Sequence, residues 1–186
     1  EQVEALATAG ALECLGLDRR QALWQAGVAA TEREGMLPGT SALASPHLPG
    51  MSAFELMATD VAATGVTHNQ QPMELVRASL ADVLPASQLP HIPDGTRVRI
   101  AGIITHRQRP RTASGLTFLG VEDETGLMNV MVSPGLWSRH KVLARTARAM
   151  MIRGIVQNAT GAVSVVADKL EPLDFGEFLS RGSRDF

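Results

Sequence analysis

The sequence predicts an α+β chain in which an N-terminal helical segment precedes a five-stranded barrel. Three observations carry that expectation. Residues 1 to 93 set apolar side chains at helical spacing between caps and prolines, the period changes to two after Asp94-Gly95, and three strands, a helix and two strands then follow.

The helical part begins with a helix from about Gln2 to Leu15, interrupted at Ala9-Gly10, and a second from Arg19 to about Val28 with Asp18 as its N-cap. Leu12, Leu15, Leu23, Trp24 and Val28 cover one side only, so these helices call for a neighbour. From Thr31 to Gly50 the composition turns to Gly, Pro, Ser and Thr, a surface connection. Ser52 and Glu55 form a capping box that opens a helix to about Ala63, ended by Gly65. Pro72 opens a short helix to about Leu80, and Pro85, Pro90 and Pro93 read as a stiff linker.

The barrel part starts with Arg97 to Ile104, where Val98, Ile100 and Ile104 share one face and Arg97 and Arg99 the other. A polar loop, His106 to Gly115, leads to a strand from Leu116 to Val121. The turn Asp123-Glu124-Thr125-Gly126 leads into a third strand, Leu127 to Val132. A helix from Pro134 to about Arg145 carries Leu136, Trp137, His140, Leu143 and Ala144 on one stripe. Strands Ala149 to Gln157 and Ala162 to Ala167 flank the turn Asn158 to Gly161. This order is that of an OB-fold, a small Greek-key barrel whose exposed face and loops commonly bind oligonucleotides, and Gly102 and Gly154 suit its bends. The expected division is therefore 1–30, 31–93 as connection, short helices and linker, 94–172 as the barrel, and 173–186 as a tail.

Composition narrows the function. The 186 residues are 45% hydrophobic and 19% charged, which suits a folded chain, and no apolar run is long enough to span a bilayer. No signal segment opens the sequence, so it reads as a fragment of a longer chain, and the single Cys14 permits no internal disulfide and suits a reducing cytoplasm. The net charge of −2 hides an asymmetry: residues 97–153 hold ten basic side chains against three acidic ones, whereas residues 1–96 hold four against eleven. Such a block is expected where a polyanion docks, the alternative being a solvated arginine surface.

Catalytic chemistry is hard to place. His47, His68, His91, His106 and His140 show no metal-ligand spacing, and Glu122, Asp123 and Glu124 suit a solvated hairpin turn better than a magnesium site. No phosphate-cradling glycine loop or nucleophile elbow is present. No catalytic residue and no metal ligand is therefore expected. The candidate nucleic-acid contacts are Arg97 and Arg99 on the first strand, Arg107, Arg109 and Arg111 in the loop after it, and Arg139 and Lys141 on the helix. Phe118 is a candidate stacking platform, although an inward ring is the commoner outcome, and Trp137 falls on the stripe expected to face the core.

The segment Leu6-Ala7-Thr8-Ala9-Gly10-Ala11-Leu12-Glu13 resembles the end of the helix-hairpin-helix region of bacterial family C DNA polymerases. Gly102 to Pro110, Phe118 to Gly126 and Val132-Ser133-Pro134-Gly135-Leu136-Trp137 resemble their OB domain. The pairing of Thr105-His106-Arg107-Gln108-Arg109-Pro110 with Ser133 to Trp137, and the terminal Ser183-Arg184-Asp185-Phe186, resemble the error-prone, translesion branch, similar to the replicative alpha subunit. The resemblance implies the C-terminal accessory region of a damage-inducible DNA-directed polymerase that uses Mg²⁺, with the catalytic carboxylates upstream of this segment. It implies single-stranded or primer-template DNA and a mutagenesis accessory protein as partners, in the cytoplasm and with no membrane. Gln88-Leu89-Pro90 lacks the apolar end of a Gln-x-x-Leu-x-Phe clamp peptide, which puts direct clamp contact in doubt, and Gln71-Pro72 stands where the family has His-Pro. Two functions remain open at this point: a barrel that contacts DNA, and a barrel that docks a partner protein.

Overall fold

The computed structural model describes residues 1–31, 35, 45–67, 70–159 and 162–175. Most of the expected 31–50 connection, His68, the tip of the 158–161 turn and the terminal Ser183 to Phe186 lie outside these residues. The chain divides into two compact units, Glu1–Gln70 and Gln71–Phe186.

The first unit holds α1 (Gln2–Thr8), α2 (Arg19–Ala29) and α3 (Ala53–Thr64), with a 3₁₀ turn at Glu13–Leu15. Both α2 and α3 begin with full capping boxes, Asp18 with Gln21 and Ser52 with Glu55, and α3 ends at Gly65 in the left-handed region. The core of this unit is small: Ala7, Ala22 and Ala26, with Leu12, Leu17 and Leu23 against them. A buried pair, Arg19 to Asp60 at 2.7 Å, ties α2 to α3.

The second unit is a closed barrel of β1 (Arg97–Gln108), β2 (Thr117–Asp123), β3 (Gly126–Val132), β4 (Ala149–Ala159) and β5 (Ala162–Pro172), in the order β1-β2-β3-β5-β4. Among the described strands only β3 and β5 pair in parallel. Ile100, Leu119, Val121, Val130, Val132, Ile152, Val156 and Val165 fill the interior. Gly102 and Gly154 allow close strand crossings, since a Cβ on either would stand within 2.5 Å of a neighbouring strand's carbonyl oxygen. The expected single helix after β3 is two, α5 (Pro134–Arg139) and α6 (Lys141–Thr146), which break at His140.

The expected linker before the barrel is instead a strap that belongs to it. After α4 (Pro72–Val76), Met73, Val76, Leu80 and Val83 pack on Ala101 and Ala149 with Ile103 and Met151, so they cover the outer surface of β1 and β4. Ala86 and Leu89, in a 3₁₀ helix over Ala86–His91, join the barrel core. The prolines set the course of the strap, while buried apolar side chains fix it in place.

Candidate nucleic-acid interface

The geometry of the site follows from one irregularity in β1. Up to Ile104 the even-numbered residues point inward, and Ile104 pairs with the buried Val121. A bulge between Ile104 and His106 inserts one residue, after which Arg107 pairs with the buried Leu119, while His106 and Gln108 pair with Gly120 and Phe118. The insertion exchanges the faces of every side chain that follows. The strand therefore runs on to Gln108, where the sequence suggested a loop from His106.

Arg107 is accordingly turned toward the end of the barrel. Its Nε donates to the carbonyl of Ala144 at 2.8 Å and its Nη2 to that of Ala147, which satisfies two carbonyls at the end of α6. Burial, with no carboxylate at hand, pulls its pKa below the ordinary arginine value. This side chain, expected on a phosphate, serves the barrel.

Arg97 and Arg99 are also engaged. On the outer surface of β1, β4 and β5, Asp168 lies 2.7 Å from Arg153 and 3.4 Å from Arg97. Arg99 pairs with Asp82 and lies 3.9 Å from Glu171, which accepts from Lys169 at 2.8 Å. The expected basic strand face is thus a ladder of alternating charge. Arg109, Arg111, Arg139 and Lys141 make no ion pair among the described residues.

The face that remains uncovered is the outer side of β1, β2 and β3 beyond the bulge. Register sets Gln108, Phe118 and Met131 in one row and His106, Gly120 and Asn129 in the next. Phe118 is half-buried and shares the outward side with Gly120, against the expectation of an inward ring, because Leu119 and Val121 hold the inward positions. The His106 imidazole lies directly over Gly120, where a Cβ would come within 2.1 Å of its Cε1. Thr105 Oγ1 stands 3.1 Å from His106 Nδ1 and donates to the Gly120 carbonyl at 3.3 Å, which orients the ring. In the sequence His106 has no metal-ligand spacing and a place in a polar loop; only the pairing of its strand with a glycine identifies it as a second flat ring beside Phe118.

The acidic turn is not the solvated hairpin expected. Asp123 is buried: its Oδ1 accepts from Thr125 N (2.8 Å), Thr125 Oγ1 (2.7 Å) and Gly126 N (3.1 Å), and its Oδ2 from Ala86 N (2.9 Å) and Arg77 (3.0 Å). Glu124 takes Arg77 on both oxygens, at 2.6 and 2.9 Å, and this bond above all raises the Arg77 pKa. With their oxygens spent on these donors, Asp123 and Glu124 do not fit a magnesium ion. Among the described residues no group of three or more His, Cys, Asp or Glu side chains is placed to hold a metal, and no helix is long and apolar enough to cross a membrane.

Residues 98–173 match the family of OB-fold nucleic acid binding domains described as tRNA anti-codon. Over 99% of its length the chain is 74% identical to an error-prone DNA polymerase of Corynebacterium efficiens, and over 100% it is 71% identical to that of Corynebacterium glutamicum. It spans 17% and 18%, respectively, of the length of these curated relatives. Among solved structures it is similar to asparaginyl-tRNA synthetase from Pyrococcus horikoshii, with 23% identity, 50% of this chain and 23% of that one covered, and a TM-score of 0.42.

Proposed function

The chain belongs, as a segment, to the error-prone DNA polymerases, and from that premise we propose that its barrel holds single-stranded template DNA during damage-induced translesion synthesis. The strand lies across the outer side of β1, β2 and β3. The observation that carries this reading is the uncovered pair of flat side chains, Phe118 and His106 over Gly120, adjoining the loop that bears Arg109 and Arg111. Phe118 and Gly120 stand two residues apart on one strand face, ~7 Å at the rise of a β-strand. Bases stack on such rings whatever their sequence, and the guanidinium groups take phosphate oxygens.

The whole polymerase, in this reading, is a DNA-directed enzyme that uses magnesium at carboxylates outside this segment, and the segment contributes grip on the template rather than chemistry. A mutagenesis accessory protein recruits it in the cytoplasm, in place of direct clamp contact. Arg97 and Arg99 lie outside the contact, because nearby carboxylates already balance them.

Binding of a labelled single-stranded oligonucleotide by the Phe118→Ala and Arg97→Ala variants tests this placement. Phe118→Ala weakens binding about 5- to 150-fold, the equivalent of ~1–3 kcal/mol for one stacked base, and Arg97→Ala leaves it within a factor of two. Equal losses from both variants would move the strand to the ion-pair ladder, and no loss from Phe118→Ala would leave the outer face to a protein partner.

A further inference from the structure

A second feature of the barrel unit adjoins the stacking face at Gln108. Where the β1–β2 loop meets the helices after β3, a cavity of about 270 Å³ is lined by Arg107, Gln108, Arg109, Thr117, Trp137 and Arg145. Its composition is unusual for a chain with two tryptophans and no tyrosine. Trp137, placed by its helical stripe in the core, is half-buried and contributes both to the core and to this wall. Two of its three arginines, Arg109 and Arg145, make no ion pair or side-chain hydrogen bond among the described residues, whereas Arg107 is tied to Ala144 and Ala147. Thr117 is 2% exposed, and its Oγ1 is buried without a hydrogen-bond partner. A buried hydroxyl left without a partner is uncommon, but this oxygen is sealed from solvent and the case for a ligand rests on Trp137, Arg109 and Arg145.

A larger cavity of the unit, between the strap and β1, makes an instructive contrast. Its cations are Arg77, Arg97 and Arg99, and each already faces a carboxylate. No anion gains much there, because the local charge is already neutralised. At the Trp137 cavity three guanidinium groups, two of them without an ion pair or side-chain hydrogen bond among the described residues, stand beside an indole with no carboxylate in the lining.

We propose that the Trp137 cavity binds a single nucleotide, its base against the indole and its phosphate between Arg109 and Arg145. An aromatic wall next to paired cations suits a flat ring joined to an anion, and a simple phosphate would leave the indole unused. The volume lies just under the ~300–1,000 Å³ of sites for drug-sized ligands, so it takes one nucleotide. Such a nucleotide is either free or one unit of a strand; the recognition chemistry is the same. The inference shares Arg109 with the strand reading but uses neither Phe118 nor His106.

The test uses Trp24→Phe in the full 186-residue chain, so that Trp137 is the sole tryptophan and its emission reports the cavity. The chain is titrated with dAMP, deoxyadenosine, inorganic phosphate and an unphosphorylated oligodeoxyadenylate. The inference expects saturable quenching by dAMP, at least ten-fold weaker binding of deoxyadenosine, and no comparable quenching by inorganic phosphate. Arg145→Ala, an exposed change that leaves the barrel core intact, weakens dAMP at least ten-fold. Saturable quenching by the oligonucleotide at lower concentration than dAMP identifies a strand nucleotide, and quenching by dAMP alone identifies a free one. Absence of saturable quenching by either nucleotide ligand overturns the inference, as does equal binding of dAMP and deoxyadenosine or an unchanged Arg145→Ala. If the oligonucleotide binds by anisotropy without altering Trp137, the cavity assignment fails while the strand reading of the outer face survives.

Discussion

Arg107 donates to the carbonyl of Ala144 at 2.8 Å, so a guanidinium that the sequence offers to DNA holds the end of α6 against β1. Removing it leaves two helix-end carbonyls short of a donor. Arg107→Ala should therefore lower barrel stability by about 1–3 kcal/mol, read as a shift in the urea midpoint at constant slope. Its effect on the salt dependence of oligonucleotide binding should be nil. A flatter salt slope with unchanged stability would return Arg107 to the phosphate backbone.

Asp123 is the most heavily bonded side chain of the turn between β2 and β3. It accepts from three backbone amides, the Thr125 hydroxyl and Arg77. Asp123→Ala strands those donors and leaves Arg77 with Glu124 and the Val83 carbonyl, which should cost ~3–5 kcal/mol of stability by the usual penalty for breaking a buried pair. Thermal unfolding measures it. A loss below about 1 kcal/mol would mean that the turn is solvated, as its sequence suggested.

Gly120 is needed for what it lacks. A methyl group there would meet His106 Cε1 at 2.1 Å, and the obstruction is a side-chain ring that can swing away. Gly120→Ala should thus cost little stability but displace the imidazole and weaken oligonucleotide binding several-fold. In a His106→Ala background the same change should add almost nothing, which a double-mutant cycle reads directly.

The ion-pair ladder gives a pH signature. The hydrogen bond from Lys169, ahead of the nearby charges of Arg99 and Arg153, holds the Glu171 carboxyl below its ordinary value of 4.5. A folded-state pKa that is lowered adds stability above the unfolded value and loses it as pH falls through the folded one. Glu171→Gln should therefore lower the thermal midpoint at pH 7, and the gap from the parent chain should close as pH drops below the ordinary carboxylate range. A gap that persists at pH 2 would assign the effect to packing.

Much of the fold was legible because it rests on local signals. Asp18, Ser52 with Glu55, Gly65 and Pro72 mark helix ends through their own side chains or backbone, and the change of period at Gly95 marks the barrel. The site was less legible for a definite reason. A one-residue bulge after Ile104 leaves no mark in the alternation, yet it turns Arg107 inward and His106 and Gln108 outward. Ion pairing hides equally well: Asp82, Asp168 and Glu171 are distant from Arg97 and Arg99 in sequence and neutralise them in space. The docking of the strap is not legible, because Pro85, Pro90 and Pro93 read as a linker and the apolar Met73, Val76 and Leu80 of the short helix, with Val83, find a partner only once β1 and β4 exist.

The central claim is that one strand of DNA crosses Phe118 and His106 and runs onto the loop arginines, and salt-dependent binding tests it most directly. A labelled oligonucleotide is titrated at several salt concentrations with the parent chain, Phe118→Ala and the double variant Arg109→Ala/Arg111→Ala. If each guanidinium neutralises one phosphate, the double variant flattens the slope of log affinity against log salt by roughly 1.4, at about 0.7 per contact on a single strand. Phe118→Ala weakens affinity at every salt concentration with the slope unchanged, since stacking releases no counterion. The account is contradicted if the double variant keeps the parent slope and Phe118→Ala keeps the parent affinity.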